Sequence, residues 1–151
     1  MAKQTKKKEP ATKRVSIPST VERSDAKAQR TFAETLESAI DSYGGDGERA
    51  RRAAFSSLKH SYEKVGDHWE PKKEKGPSDA QAARGGADAR RRPRASAGGV
   101  DANASKTHLM DVAKRLEVKG RSRMSKDELV DAINKANRRK TSKTLAKERS
   151  R

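Results

Sequence analysis

The side chains whose type and spacing could do chemistry are cationic. Lys114, Arg115, Lys119, Arg121, Arg123 and Lys126 fall within one short stretch, and Arg138, Arg139 and Lys140 follow as a block. Such groups suit phosphate: arginine offers a planar fork of donors that fits two oxygens, and lysine a mobile point charge. Arg121 and Arg123 flank a turn that leads into a helix start, where free backbone amides add partial positive charge. The plain alternative is a solvated surface that keeps a small unit soluble. Residues 106–151 carry fifteen Lys or Arg against six Asp or Glu, and so large an excess on so short a segment favours phosphate binding. These nine side chains are therefore the candidate nucleic-acid-binding residues.

Catalytic chemistry finds few parts. No cysteine is present, and His60, His68 and His108 are spread over two regions. His60 and His68 stand eight apart with a glycine between, which is not ligand spacing on one continuous helix, so capping or packing is the expected role of each ring. Asp41, Asp46 and Glu48 surround a glycine run, but turn and helix-start chemistry favours acids there without a cation. No catalytic residue, cofactor, metal or small-molecule substrate is expected. A Gly-Lys-Ser or Gly-Lys-Thr phosphate loop is absent. So are a zinc finger, a long recognition helix and an aromatic platform outside the centre of the chain, which points to DNA or RNA binding of weak sequence specificity.

The elements that must position these groups are small. Of 151 residues only 30% are hydrophobic and 38% are charged, so a single large core is excluded and order must be local. The net charge of +16 is uneven: residues 15–71, which hold every aromatic side chain, are net −2, whereas residues 1–14 are net +5 and 106–151 net +9. Folding and electrostatics thus occupy different segments. Without a long apolar run or an apolar leader the chain reads as cytoplasmic and not membrane-spanning.

Residues 1–16 read as a disordered basic tail. After Pro18, Ser24 is the expected N-cap of a helix on which Ala28, Phe32, Leu36, Ala39, Ile40 and Tyr43 form one apolar stripe. Gly44, Gly45 and Gly47 end it, and Ala50, Ala54, Leu58, Tyr62 and Val65 mark a second helix, with Phe55 beside the stripe. The pair predicts an antiparallel helical hairpin over 17–71. Its thin apolar face needs covering by Trp69, Ile17 and Val21.

Residues 72–104, with the basic block Arg90, Arg91, Arg92 and Arg94, read as a flexible linker, because Val100 is the sole branched aliphatic there. A second unit spans 105–137. Ser105 caps a helix bearing Leu109, Val112, Ala113 and Leu116, and a basic turn runs from Val118 to Met124. Ser125 then opens a helix bearing Leu129, Ala132, Ile133 and Ala136. Ser125 with Glu128 predicts a capping box, and Met124 with Leu129 a hydrophobic staple. Residues 138–151 read as a basic tail. The fold class expected is all-α: a central helical hairpin and a small helix-extended-helix module on a disordered basic linker, with disordered tails.

Two stretches resemble known families. Ile17-Pro18, Ala28-Gln29, the Phe32 to Tyr43 helix, the stretch A-A-F-S-S-L-K-H-S-Y-E-K from Ala53 to Lys64, and Trp69 resemble the ChaB family, named for a cation-transport regulator. Ile17-Pro18 replaces an expected Leu-Pro, and the 44–47 glycine loop a longer polar connection. L-M-D-V-A-K-R-L-E-V followed by K-G-R-S-R-M-S-K-D-E-L-V-D-A-I resembles the N-terminal domain of the transcription termination factor Rho, a fold similar to SAP and LEM modules. The second resemblance implies nucleic-acid association without enzymatic activity. The first leaves open a protein partner for the near-neutral hairpin, or a regulator of a membrane cation or proton transporter. Limited trypsin digestion should cut first between Lys72 and Arg94 and leave two resistant pieces; early cuts within 48–65 would show the hairpin boundary to be misplaced.

Overall fold

The computed structural model describes residues 9–77 and 98–150. The helical hairpin is present as α3 (Ala26–Ser42) and α4 (Gly47–Ser61), preceded by single turns α1 (Ala11–Arg14) and α2 (Ser19–Glu22). Ala28, Phe32, Leu36 and Ala39 of α3 meet Ala50, Ala54 and Leu58 of α4, with Phe55 edge-on to Phe32 at 4.9 Å between ring centroids. The N-cap of α3 is Asp25 rather than Ser24: the Asp25 carboxylate accepts from the Ala28 amide and from the Tyr62 hydroxyl. The Ser24 hydroxyl instead donates to the Thr20 carbonyl and accepts from the Trp69 amide. Trp69 and Val21 cover the hairpin as expected, both buried in its core.

An all-α chain is not what forms. The apolar spacing from Ala50 to Val65 suits one long helix, yet α4 stops at Ser61 and the chain turns into a β-ribbon, β1 (Tyr62–Val65) antiparallel to β2 (His68–Pro71). The reason is local. Gly66, at φ +69°, and Asp67 form a two-residue loop between Val65 and His68, the glycine-first arrangement of a tight hairpin turn. Period two then sorts the side chains. Tyr62 and Trp69 face the first core, whereas Val65 on the opposite face joins the second. That second core is built by α5 (Lys106–Arg115), a 3-10 turn (Arg121–Arg123) and α6 (Lys126–Arg149) through Leu109, Val112, Ala113, Leu129 and Ile133. The capping box forms as predicted: Ser125 Oγ accepts from the Glu128 amide while the Glu128 carboxylate accepts from the Ser125 amide.

The ribbon is a wall shared by both units, and one side chain fastens it. Asn137 is fully buried; its Oδ1 accepts from the Gly66 amide at 2.6 Å and its Nδ2 donates to the Lys64 carbonyl at 2.9 Å. A carboxamide that pairs with an N–H and a C=O two residues apart does what a neighbouring strand would do, and so closes the outer edge of β1. The Gly99 carbonyl completes that edge by accepting from the Lys64 amide at 2.9 Å. Gly99 must be glycine: at φ +95°, a Cβ there would stand 2.7 Å from the Trp69 ring.

Several expected tails and linkers are structured. Arg14 is ion-paired with Glu37, and Ala11 is buried with α1 packed on α3. Val100 sits in the second core, and the Lys72 ammonium is buried, donating to the Lys59 and Gly76 carbonyls and standing 3.8 Å from Asp101. Composition alone offers these segments nothing to offset ordering; the compensation comes from tertiary partners. Helix α6 runs to Arg149 instead of fraying into a tail at 138, because no Gly or Pro interrupts it and its later turns dock on the ribbon. Residues 1–8, 78–97 and 151 lie outside the described residues, and with them the block Arg90–Arg94 and much of the expected linker.

Asn137→Ala should lower unfolding free energy by about 2–4 kcal/mol, since it leaves two backbone groups unpaired in a closed site. The exposed Ser142→Ala on the same helix is the control; equal urea midpoints for the two variants would show the seam does not depend on this amide. A chain nicked within 78–97 should elute from gel filtration as one body.

Candidate nucleic-acid interface

The nine candidate phosphate ligands occupy two places. Lys114, Lys119, Arg123 and Lys126 are exposed around the α5–α6 junction, while Arg138, Arg139 and Lys140 are exposed in the middle of α6. Lys126 and Arg138 are twelve residues apart on one straight helix, a rise of about 18 Å. The set is therefore two patches rather than one clamp.

The junction patch is weaker for phosphate than the charge count implies. Arg121 is half-buried and its Nη1 donates to the Val118 carbonyl at 3.2 Å, which turns the fork inward. The first turn of α6 carries Asp127 and Glu128 and is already capped, so an anion at that terminus meets two carboxylates. Arg115 is engaged elsewhere. Its guanidinium grips Glu70 on β2 with Nη1 donating at 2.7 Å, tying α5 to the ribbon. The second half of α6 differs: residues 138–149 hold six Lys or Arg and a single acid, Glu148. That acid is held by Arg23 at 2.8 Å.

Other titratable groups line the seam. The Arg115 fork draws the Glu70 carboxyl down to about 2, helped by His68 and opposed by burial. Burial raises the Glu63 carboxyl even though its oxygen lies 2.7 Å from His108 Nε2. Burial lowers the Lys64 ammonium, and the positive charges of Arg138 and Arg23 press it the same way. The rings of His68 and His108 pair with carboxylates and His60 is exposed; among the described residues no three His, Asp or Glu side chains converge on a metal-sized site. Asp46 caps α4 by accepting from the Arg49 amide, and Glu48 pairs with Arg52, which accounts for the acids around the glycine loop.

Three interface features escape the sequence analysis. The ribbon does, although Val65-Gly66-Asp67-His68 carries a tight-turn signal. Lys143 and Lys147 do, because 138–151 reads as a tail. The polar stripe Asn137, Thr141, Thr144 and Glu148, at spacings of four, three and four on the ribbon side of α6, is hidden because periodicity is sought in apolar residues. Thr141 Oγ1 donates to the Gly66 carbonyl and Thr144 Oγ1 to Asp67 Oδ2 at 2.7 Å.

A depressed carboxyl contributes stability that is fully present above its unfolded value and is lost as pH falls through its folded one. Glu70 should therefore stabilise the chain above pH 4.5, with that contribution disappearing toward pH 2. Urea midpoints against pH should show a shallower acid limb in Glu70→Gln and in Arg115→Ala than in the parent. An unchanged limb would show that this pair does not govern the acid sensitivity of the seam.

Among the described residues no helix is long and apolar enough to cross a membrane. No curated protein and no solved structure matches the chain. Family models do match. The second runs past Asn137 into the basic half of α6 and stops eight residues before that helix ends. Residues 17–72 match the ChaB family, and residues 105–141 match the Rho termination factor, N-terminal domain, so the β-ribbon that joins the two cores belongs to the ChaB segment.

Proposed function

We propose that this chain is a non-enzymatic, cytoplasmic protein that associates with the phosphate backbone of DNA or RNA, with weak sequence specificity. The observation that carries the reading is a strongly cationic helix half, residues 138–149, that begins inside a segment, 105–141, matching the N-terminal domain of a transcription termination factor and continues past it. Lys114, Lys119, Arg123 and Lys126 form a secondary contact at the α5–α6 junction. Arg115 and Arg121 serve more to hold the fold. Neutralising phosphates with Lys and Arg releases condensed counterions, an entropic gain that needs no pocket and reads no base. The ChaB segment braces the cationic helix and is the natural seat for a protein partner.

The ChaB match also supports a second reading, a regulator that docks on a membrane cation or proton transporter, with the basic helix drawn to anionic headgroups. Competition separates the two: vesicle co-sedimentation that persists under saturating DNA would favour the transporter.

If about five to eight phosphates are neutralised on duplex DNA, log affinity should fall against log salt with a slope of roughly −4 to −7. Mobility-shift titration across a salt series measures it. Retention indifferent both to salt and to charge reversal of Arg138 and Arg139 would end the nucleic-acid reading.

A further inference from the structure

Where the second half of α6 passes the Gly66–Asp67 turn, an open groove of about 440 Å³ lies between them, lined by Asp67, Lys140, Lys143, Thr144, Lys147 and Glu148. Lys140, Lys143 and Lys147 recur at three and four residues, so they line one edge of the helix at rises of roughly 4.5 and 6 Å, beside the polar stripe that fastens α6 to the ribbon. The stem of Lys140 lies over Gly66, where a Cβ would come within 3.3 Å of its Cγ. Among the described residues none of the three ammonium groups meets a carboxylate.

The two acids in the groove share one cation. Glu148 accepts from Arg23 at 2.8 Å, and Asp67 stands 3.7 Å from the same guanidinium while accepting from Thr144. Arg23, contributed by the loop after α2, thereby offsets one of the two negative charges, and the three lysines outweigh the one that is left. What remains is a row of three free cations with Arg138 and Arg139 on the helix just before it.

We propose that this groove is a distinct phosphate-binding site, which carries the sugar-phosphate backbone of one nucleic-acid strand along Lys140, Lys143 and Lys147. The assignment rests on the nucleic-acid reading above and gives it a location: a site completed by both family segments, with Lys143 and Lys147 beyond the matched residues. A lipid surface fits less well. A helix that lies in a bilayer interface needs an apolar face, and residues 138–149 hold only Leu145 and Ala146 as apolar side chains. Because the strand would lie across the seam, bound nucleic acid also favours the docked arrangement of the two units.

The test is fluorescence anisotropy of the full chain with labelled duplex DNA and labelled single-stranded RNA, each over a salt series. Replacing Lys140, Lys143 and Lys147 together by Ala should weaken binding by on the order of tenfold or more at low salt and make the log-log slope shallower by about 3. Replacing all three by Arg should keep both near the parent, and thermal unfolding should match across the set because the three side chains are exposed. If the parent binds and the Ala variant binds equally well with an equal slope, the groove assignment fails while the nucleic-acid reading stands. If the parent retains neither polymer, the nucleic-acid reading itself fails. Vesicles of phosphatidylcholine with phosphatidylglycerol are the third arm: loss of vesicle binding in the Ala variant with nucleic-acid binding intact would overturn the proposal in favour of a headgroup site.

Discussion

The carboxamide of Asn137 decides how the rest of this molecule is arranged. A two-stranded ribbon on its own is barely stable in water, and its free edge exposes backbone donors and acceptors. Here one edge is closed by a helix side chain more than seventy residues away in sequence, which pairs with Gly66 and Lys64 at once. The ribbon can then present Tyr62 and Trp69 to one small core and Val65 to another. Two cores each too small to stand securely are joined through a common wall. A buried amide left half-paired costs more than it contributes when satisfied, so register at this point is sharply specified.

Around that contact lies a second, ionic layer. Glu63 meets His108, Glu70 meets Arg115, and Arg23 spans Asp67 and Glu148. Apart from the buried Glu63 these pairs are partly exposed, and such pairs contribute little each; their effect is to fix which acids meet a cation. All of these carboxylates belong to the ribbon or to the end of α6, and each meets a cation or an imidazole from another element. Among the described residues Lys140, Lys143 and Lys147 of α6 have no such partner. The pattern of paired acids and unpaired lysines on this surface is thus a product of the docking.

Helix α6 carries a docking stripe and a cationic row side by side. Its polar stripe from Asn137 to Glu148 looks inward at the turn, and the lysine row runs one residue earlier along the neighbouring edge. Acids are gathered in the first turns and bases in the rest, the arrangement a helix dipole favours. The same polarity moves the excess of positive charge away from the helix start, where Arg121 and Arg123 point by sequence, toward its second half.

The sequence by itself determined the local order. The stripe on α3, the glycine stop after it and the Ser125–Glu128 box follow from spacing and capping, which act over a few residues, and the resemblance of each segment to a family is carried by its residues in order. It also determined the sign of the charge and the segment that carries it. Only the tertiary structure decided that Tyr62 to Pro71 is a ribbon rather than the end of a helix. It alone showed that Val100 and Lys72 are buried and that Arg115 holds Glu70. The physical reason is range: a stripe with helical period cannot say whether Val65 will find its partners along its own helix or across the chain. A polar residue such as Asn137 reads as surface until the backbone groups that need it are brought alongside.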